Sequence, residues 1–175
     1  MNEALVTQTQ LEGLLRRLRD LEARLGRTEV QERGYYAISS FTPTLVGSTT
    51  PGTFTYTAGV NIVEWTRIGN RVLFNGRVSI SAITVAPVGN MAISGWPFAA
   101  VADATMVVAG AADVAWQTNL ATAHTQLSGQ FSNGTSDMLL IKSGDNLARG
   151  PVQGGDIAIV GALMEFRFGG QYRVA

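Results

Sequence analysis

The sequence predicts a mainly β protein fronted by one helix: an N-terminal parallel trimeric coiled-coil helix followed by an antiparallel β-sandwich, jelly-roll-like head. Three observations predict it. Leucines recur at heptad spacing near the N-terminus. Composition changes abruptly near Arg33 and Gly34. Beyond that boundary, short runs of apolar and β-branched residues alternate with glycine-rich turns, the pattern of short antiparallel strands.

Composition bounds the rest. Of 175 residues, 46% are hydrophobic and 15% charged, which suits a folded chain rather than a disordered one. Basic and acidic residues balance at 13 each. No basic face is therefore expected to neutralise phosphates, and nucleic acid is not an expected partner. Cysteine is absent, which excludes disulfides, thiolate metal sites and cysteine nucleophiles. Residues 1–10, MNEALVTQTQ, lack the basic and apolar regions of a signal peptide. No run of about 18 apolar residues is present, so membrane insertion is not expected. The expectation is a chain made in a cytoplasm.

The front segment is helical and highly charged. Residues 1–33 hold six arginines, six carboxylates, no proline and only two glycines. Leu11, Leu14, Leu18, Leu21 and Leu25 repeat with spacing 3, 4, 3, 4, which places Leu11, Leu18 and Leu25 at a and Leu14 and Leu21 at d of a heptad. Leu15 widens the stripe and favours more than two strands. In a parallel coil a g residue faces the e residue five positions on in the next chain. Arg17 then meets Glu22 and Arg24 meets Glu29, both attractive. RLRDLE, Arg17 to Glu22, also resembles the Arg-apolar-x-x-apolar-Glu signature of short parallel trimeric coiled coils. A helix of about 25 residues would be roughly 38 Å long and marginal alone in water. The stripe is therefore expected to pack against copies of itself. Burying five leucines contributes on the order of 1.5–3 kcal/mol each before ordering costs.

The body holds the remaining 18 glycines, all five prolines, and seven cations against seven anions. Its clearest local signal is NIVEWTRIGNRVLFNGRVSISAI. Gly69-Asn70 between two strand-like runs reads as a two-residue hairpin turn. Ile68 then faces Arg71, Arg67 faces Val72, and Trp65 faces Phe74. Val63, Trp65, Val72, Phe74, Val78 and Ile80 share a buried face. Glu64, Thr66, Arg71, Asn75, Arg77 and Ser79 share the wetter one. Further strands are expected in NMAISG, ATMVVAG, DVAWQT, TAHTQLSGQF, DMLLIKS and DIAIVGALMEFRF. The turns between them are read at Gly89-Asn90, Gly110, Ser132-Asn133-Gly134, Ser143 to Asn146 and Gly154-Gly155. Eight to ten short strands without a helix suggest a sandwich.

FTPTLVGSTTPGTFTYTAG, then WTRIGNRVLFNGRVSIS and ISGWPFAA, resemble the β-sandwich head of bacteriophage fibre, spike and other virion surface proteins. Those heads combine a Thr-Pro-Thr-x-x-Gly entry, an aromatic-x-Arg-x-Gly-x-x-Val hairpin and an Ile-x-Gly-x-Pro segment. The resemblance covers roughly residues 41–99. It departs at Trp96, where such heads usually carry leucine before the proline, and residues 100–175 carry no recognised motif. It implies a homotrimeric virion surface protein, with residues 1–10 anchoring to capsid or tail proteins, 11–33 a coiled-coil stalk and 34–175 the head. The implied role is adhesion to a host surface glycan or other receptor. Three copies on one stalk would raise attachment about 10²–10⁴-fold by avidity. A purely structural capsid decoration protein is the alternative, and a polysaccharide-degrading enzyme a further one.

Residues able to carry chemistry are few. His124 lies in a strand-like run without convergent partners for a metal or a relay. The body carboxylates Glu64, Asp103, Asp113, Asp137, Asp145, Asp156 and Glu165 suggest no glycosidase pair by their spacing. SGDN around Asp145 is too short for a calcium loop. No catalytic, metal or cofactor site is expected. For glycan binding, rings stack on sugar faces while amides and carboxylates bond hydroxyls. Trp96, Trp116, Tyr172, Asn119, Asn133, Asp137 and Asn146 are the candidates, whereas Trp65 reads as core.

Overall fold

The computed structural model describes residues 12–22, 36–103, 105, 107–118, 120, 126–144, 147–157 and 164–175. The chain divides into two compact units, Met1–Ala37 and Ile38–Ala175.

In the leading unit, residues 12–22 form an α-helix (α1), as the leucine spacing predicts. Leu14, Leu18 and Leu21 remain 52–59% exposed and Leu15 45%. The described part of the helix is eleven residues, about 16 Å, and the rest of the predicted 25 lies outside the described residues. Leu11, Arg24, Leu25, Glu29 and the expected anchor at 1–10 lie outside the described residues.

The second unit is β-rich. Its strands are β1 (Tyr36–Phe41, whose first two residues precede the boundary), β2 (Thr44–Gly47), β3 (Thr53–Tyr56), β4 (Ile62–Ile68), β5 (Arg71–Val85), β6 (Met91–Ser94), β7 (Val108–Gln117), β8 (Gln126–Ser132), β9 (Met138–Gly144), β10 (Leu147–Pro151) and β11 (Met164–Arg173). They form one sheet in the order β1-β4-β5-β11-β7-β8-β9-β6-β2, with β3 added to β5 and β10 to β9. This corrects the jelly-roll expectation. A jelly roll divides its strands between two sheets, whereas here a single antiparallel sheet curls until its two halves face each other. The C-terminal strand β11 is central, paired to β5 and to β7. Long, alternating β5 makes the curl possible: its first half pairs with β4 and its second with β3, through two register shifts that bend a strand and increase its twist.

The β4–β5 hairpin has the predicted register, with Ile68 opposite Arg71, Arg67 opposite Val72 and Trp65 opposite Phe74. Gly69 supplies the positive φ, +60°, that the tight turn requires. The six residues assigned to the inner face are all buried. On the other face Ser79 departs from expectation. It is buried because residues 57–61 cover it: its N–H donates to Asn61 Oδ1 at 2.7 Å and its hydroxyl to Thr57 at 3.1 Å. Gly110, read as a turn, lies within β7, so ATMVVAG and DVAWQT contribute to one strand. A Cβ there would stand 2.4 Å from the Gln171 carbonyl oxygen; the glycine admits β11 closely. In the closing run, β11 begins at Met164 and continues through Gly169-Gly170 to Arg173.

The core joins the two halves. Val72, Phe74, Phe166, Phe168 and Tyr172 from one half share a buried cluster with Leu45, Met91, Ile93, Leu127, Phe131, Met138 and Leu140 from the other.

Candidate functional site

The outward face of the sheet, which carries polar groups in register, is the place where recognition can occur. Alternation in β11 sends Met164, Phe166, Phe168 and Tyr172 into the core and leaves Glu165, Arg167, Gly169 and Gln171 on the other side. The ladders align these residues in rows. One row runs Glu64, Asn75, Gly169, Asp113, Ser128 across five strands. The next holds Thr66, Leu73, Gln171, Ala111 and Gln130. In the first row Gly169 is a missing side chain between an amide and a carboxylate. The gap is part of an open groove of about 550 Å³ lined by Asn75, Arg77, Asp113, Ala115, Arg167 and Gly169.

Electrostatics shape one bank of the groove. Arg167 stands directly opposite Arg77 in the ladder, a repulsive arrangement if left alone. Glu165 separates them, accepting from Arg77 Nη2 at 2.6 Å and from Arg167 Nε at 2.5 Å. The carboxylate is 14% exposed. The Arg77 hydrogen bond, reinforced by Arg167, holds its pKa below the ordinary glutamate value. These three residues form a braced polar cluster rather than a free acid. Sequence reading missed it, because only the β5–β11 register brings Arg77 to Glu165; the Glu-x-Arg alternation in β11 was the local signal.

Other carboxylates are similarly occupied. Asp156 accepts from Lys142 Nζ at 2.5 Å and from the Gln153 N–H at 2.7 Å, capping the 3-10 turn Gly154–Asp156. Asp103 accepts from the Thr105 N–H and hydroxyl, and these bonds lower its pKa. Among the described residues no three His, Asp or Glu side chains gather to hold a metal ion.

The predicted ligand residues that the structure describes have separate places in the fold. Trp96, offered as a stacking platform, is 5% exposed and belongs to the core, its indole N–H donating to the Ile93 carbonyl at 2.8 Å. Tyr172 is also buried and donates to the Phe98 carbonyl at 3.2 Å. Asn133 is structural: its Oδ1 accepts from the Asp103 N–H at 2.9 Å and its Nδ2 donates to the Asp103 carbonyl. Asp137 is exposed. The backbone of Trp116 pairs with Arg167 beside the groove. Asn119, Asn146, His124 and Asp145 lie outside the described residues.

No protein-family model matches the chain, and no curated protein matches it in sequence. Among solved structures it is similar to the Dettilon tailspike protein, with a TM-score of 0.63 over 80% of this chain at 16% identity. The matched part is 24% of the tailspike, so this chain spans about a quarter of that protein's length. At this identity the likeness is one of fold.

Proposed function

We propose that the protein is a homotrimeric virion surface protein of the phage spike or fibre type that attaches the particle to its host without performing catalysis. The observation that carries this reading is the bare seam of α1. Leu14, Leu18 and Leu21 are each more than half exposed in the single chain, and three such helices side by side would bury them. The fold shared with a tailspike protein supports the same reading. Residues 1–10 would meet a capsid or tail protein. The groove between Asn75 and Asp113 would offer amide, carboxylate and guanidinium groups to the hydroxyls of a host surface glycan.

Sedimentation equilibrium of residues 1–175 tests the assembly. A trimeric mass is expected, falling to that of one chain in Leu18→Asp; a wild-type monomer overturns the proposal. Adsorption of the labelled trimer to host cells tests the role, with Asp113→Lys expected to weaken it. A trimer that does not bind cells, together with capsids that lose heat resistance without it, would favour the decoration role. Release of reducing ends from host polysaccharide would contradict the non-catalytic reading.

A further inference from the structure

β11 carries one local arrangement twice. Glu165-Phe166-Arg167 near its start and Gln171-Tyr172-Arg173 at its end each set a polar acceptor, a buried ring and an arginine in succession. Each arginine stands directly opposite an arginine of β5, Arg167 facing Arg77 and Arg173 facing Arg71. In both cases the β5 guanidinium reaches the acceptor two residues before its facing arginine. Arg77 Nη2 donates to Glu165 Oε2 at 2.6 Å, and Arg71 Nη1 donates to Gln171 Oε1 at 3.3 Å. The difference is one charge. Glu165 places a carboxylate between the first two cations, whereas Gln171 gives the second pair an amide oxygen, and like charges directly opposite each other destabilise a sheet.

The second pair borders an open depression of about 240 Å³, lined by Arg71, Gln171 and Arg173 together with Gly110 and Ala111 of β7. Two guanidiniums and, among the described residues, no carboxylate line it. Arg173 acts through space on Asp103, but that carboxylate lies outside the lining and accepts from the Thr105 N–H and hydroxyl. A guanidinium presents parallel N–H donors that match the oxygens of a carboxylate or phosphate. An oxyanion in the depression would do for Arg71 and Arg173 what Glu165 does for Arg77 and Arg167.

We propose that Arg71 and Arg173, with the Gln171 amide between them, bind an oxyanion substituent, a carboxylate or a phosphate, of the host surface glycan. That an oxyanion binds follows from the arginine pair and its depression; that a glycan carries it rests on the attachment reading above. Position links the two. Gly169, in the floor of the groove between Asn75 and Asp113, and Arg173 lie on the same strand and the same outward face, about 13 Å apart at strand spacing. One oligosaccharide lying along β11 reaches both, with its hydroxyls at the groove and its anionic group at the arginines. The ligand is therefore an acidic polysaccharide rather than a neutral one.

Thermal unfolding of the full chain at constant ionic strength tests this, with methyl glucuronoside, uncharged methyl glucoside and inorganic phosphate as probes. A ligand bound by the folded protein alone raises the midpoint, by roughly 3–5 °C at about ten times the half-saturating concentration. That rise is expected with at least one of the two anions and not with methyl glucoside. A response to the glucuronoside identifies a carboxylate-bearing sugar, and a response to phosphate alone a phosphate-bearing one. Arg71→Gln should abolish the rise. Gln171→Glu, which supplies the missing charge from within, should also abolish it and should raise the midpoint without any anion. No saturable rise with either anion, or a rise retained undiminished in either variant, overturns the inference. Anion binding by a protein that does not adsorb to host cells leaves the oxyanion site standing and overturns the attachment reading.

Discussion

Phe74 and Trp96 meet edge to face across the core with ring centroids 4.6 Å apart, and Trp96 makes the same kind of contact with Phe131 at 4.8 Å. The indole therefore ties β5 to β8, one half of the curled sheet to the other. Its removal leaves a cavity that a curved sheet cannot readily close. Trp96→Ala should cost about 3–5 kcal/mol in urea unfolding, and Trp96→Phe should cost less. Since the ring is core, Trp96→Phe should leave cell adsorption unchanged, and a variant that folds normally but no longer adsorbs would return Trp96 to the ligand surface.

Gly170 distinguishes a packing requirement from a surface preference. A Cβ there would lie 2.3 Å from the Ala111 carbonyl oxygen and 2.7 Å from Ala112 Cα, both backbone atoms of β7. At neighbouring Gly169 the added atom would meet the tip of the Asn75 side chain at 2.5 Å, and that side chain can turn aside. Gly170→Ala should destabilise by about 1–3 kcal/mol through overpacking, with Gly169→Ala well below it. Equal denaturation midpoints for the two variants would contradict the close β7–β11 approach.

What the sequence disclosed follows from how local each feature is. The β4–β5 hairpin was legible because a two-residue turn sets register, and alternation then sorts Val63 and Trp65 from Glu64 and Thr66. The leucine repeat disclosed α1 by its period. The sheet order was not legible, because β11 reaches its place between β5 and β7 only through pairings distant in sequence. The same distance hid the Arg77–Glu165–Arg167 cluster. Gly110 misled for a related reason: a glycine at a close approach within a strand reads locally like one in a turn. Trp96 and Asn133 were judged by residue type, whereas their partners, Phe74 in one case and Asp103 in the other, decided their roles.

Glu165 gives the fold an acid dependence with a definite sign. Two guanidiniums favour its carboxylate in the folded protein and depress its pKa from the ordinary value near 4.5. The resulting stability is present above that value and is lost as pH falls through the lower folded value. Loss of the carboxylate charge also exposes Arg77 and Arg167 to each other. Denaturant midpoints should therefore fall as pH is lowered below about 4.5, and the part due to this residue should disappear in Glu165→Gln. Parallel acid profiles for the two proteins would show that the cluster contributes nothing.

Tyr172 imposes the opposite limit. Burial between the two halves of the sheet, stacked on Phe131 at 4.2 Å, pushes its phenol from 10.0 up to about 12. The neutral form is favoured by folding, so its stabilising contribution is complete below the unfolded value and is lost as pH rises from about 10 to about 12. Tyr56 is shifted in the same direction by burial, so the alkaline transition has two contributors. Tyr172→Phe removes one of them, along with the hydrogen bond to Phe98, at about 1 kcal/mol near neutral pH. The variant should begin less stable at pH 8 and lose less between pH 10 and 12. Denaturant titrations at those pH values check both points, and an unchanged alkaline slope would mean that the Tyr172 phenol is not held neutral by the core.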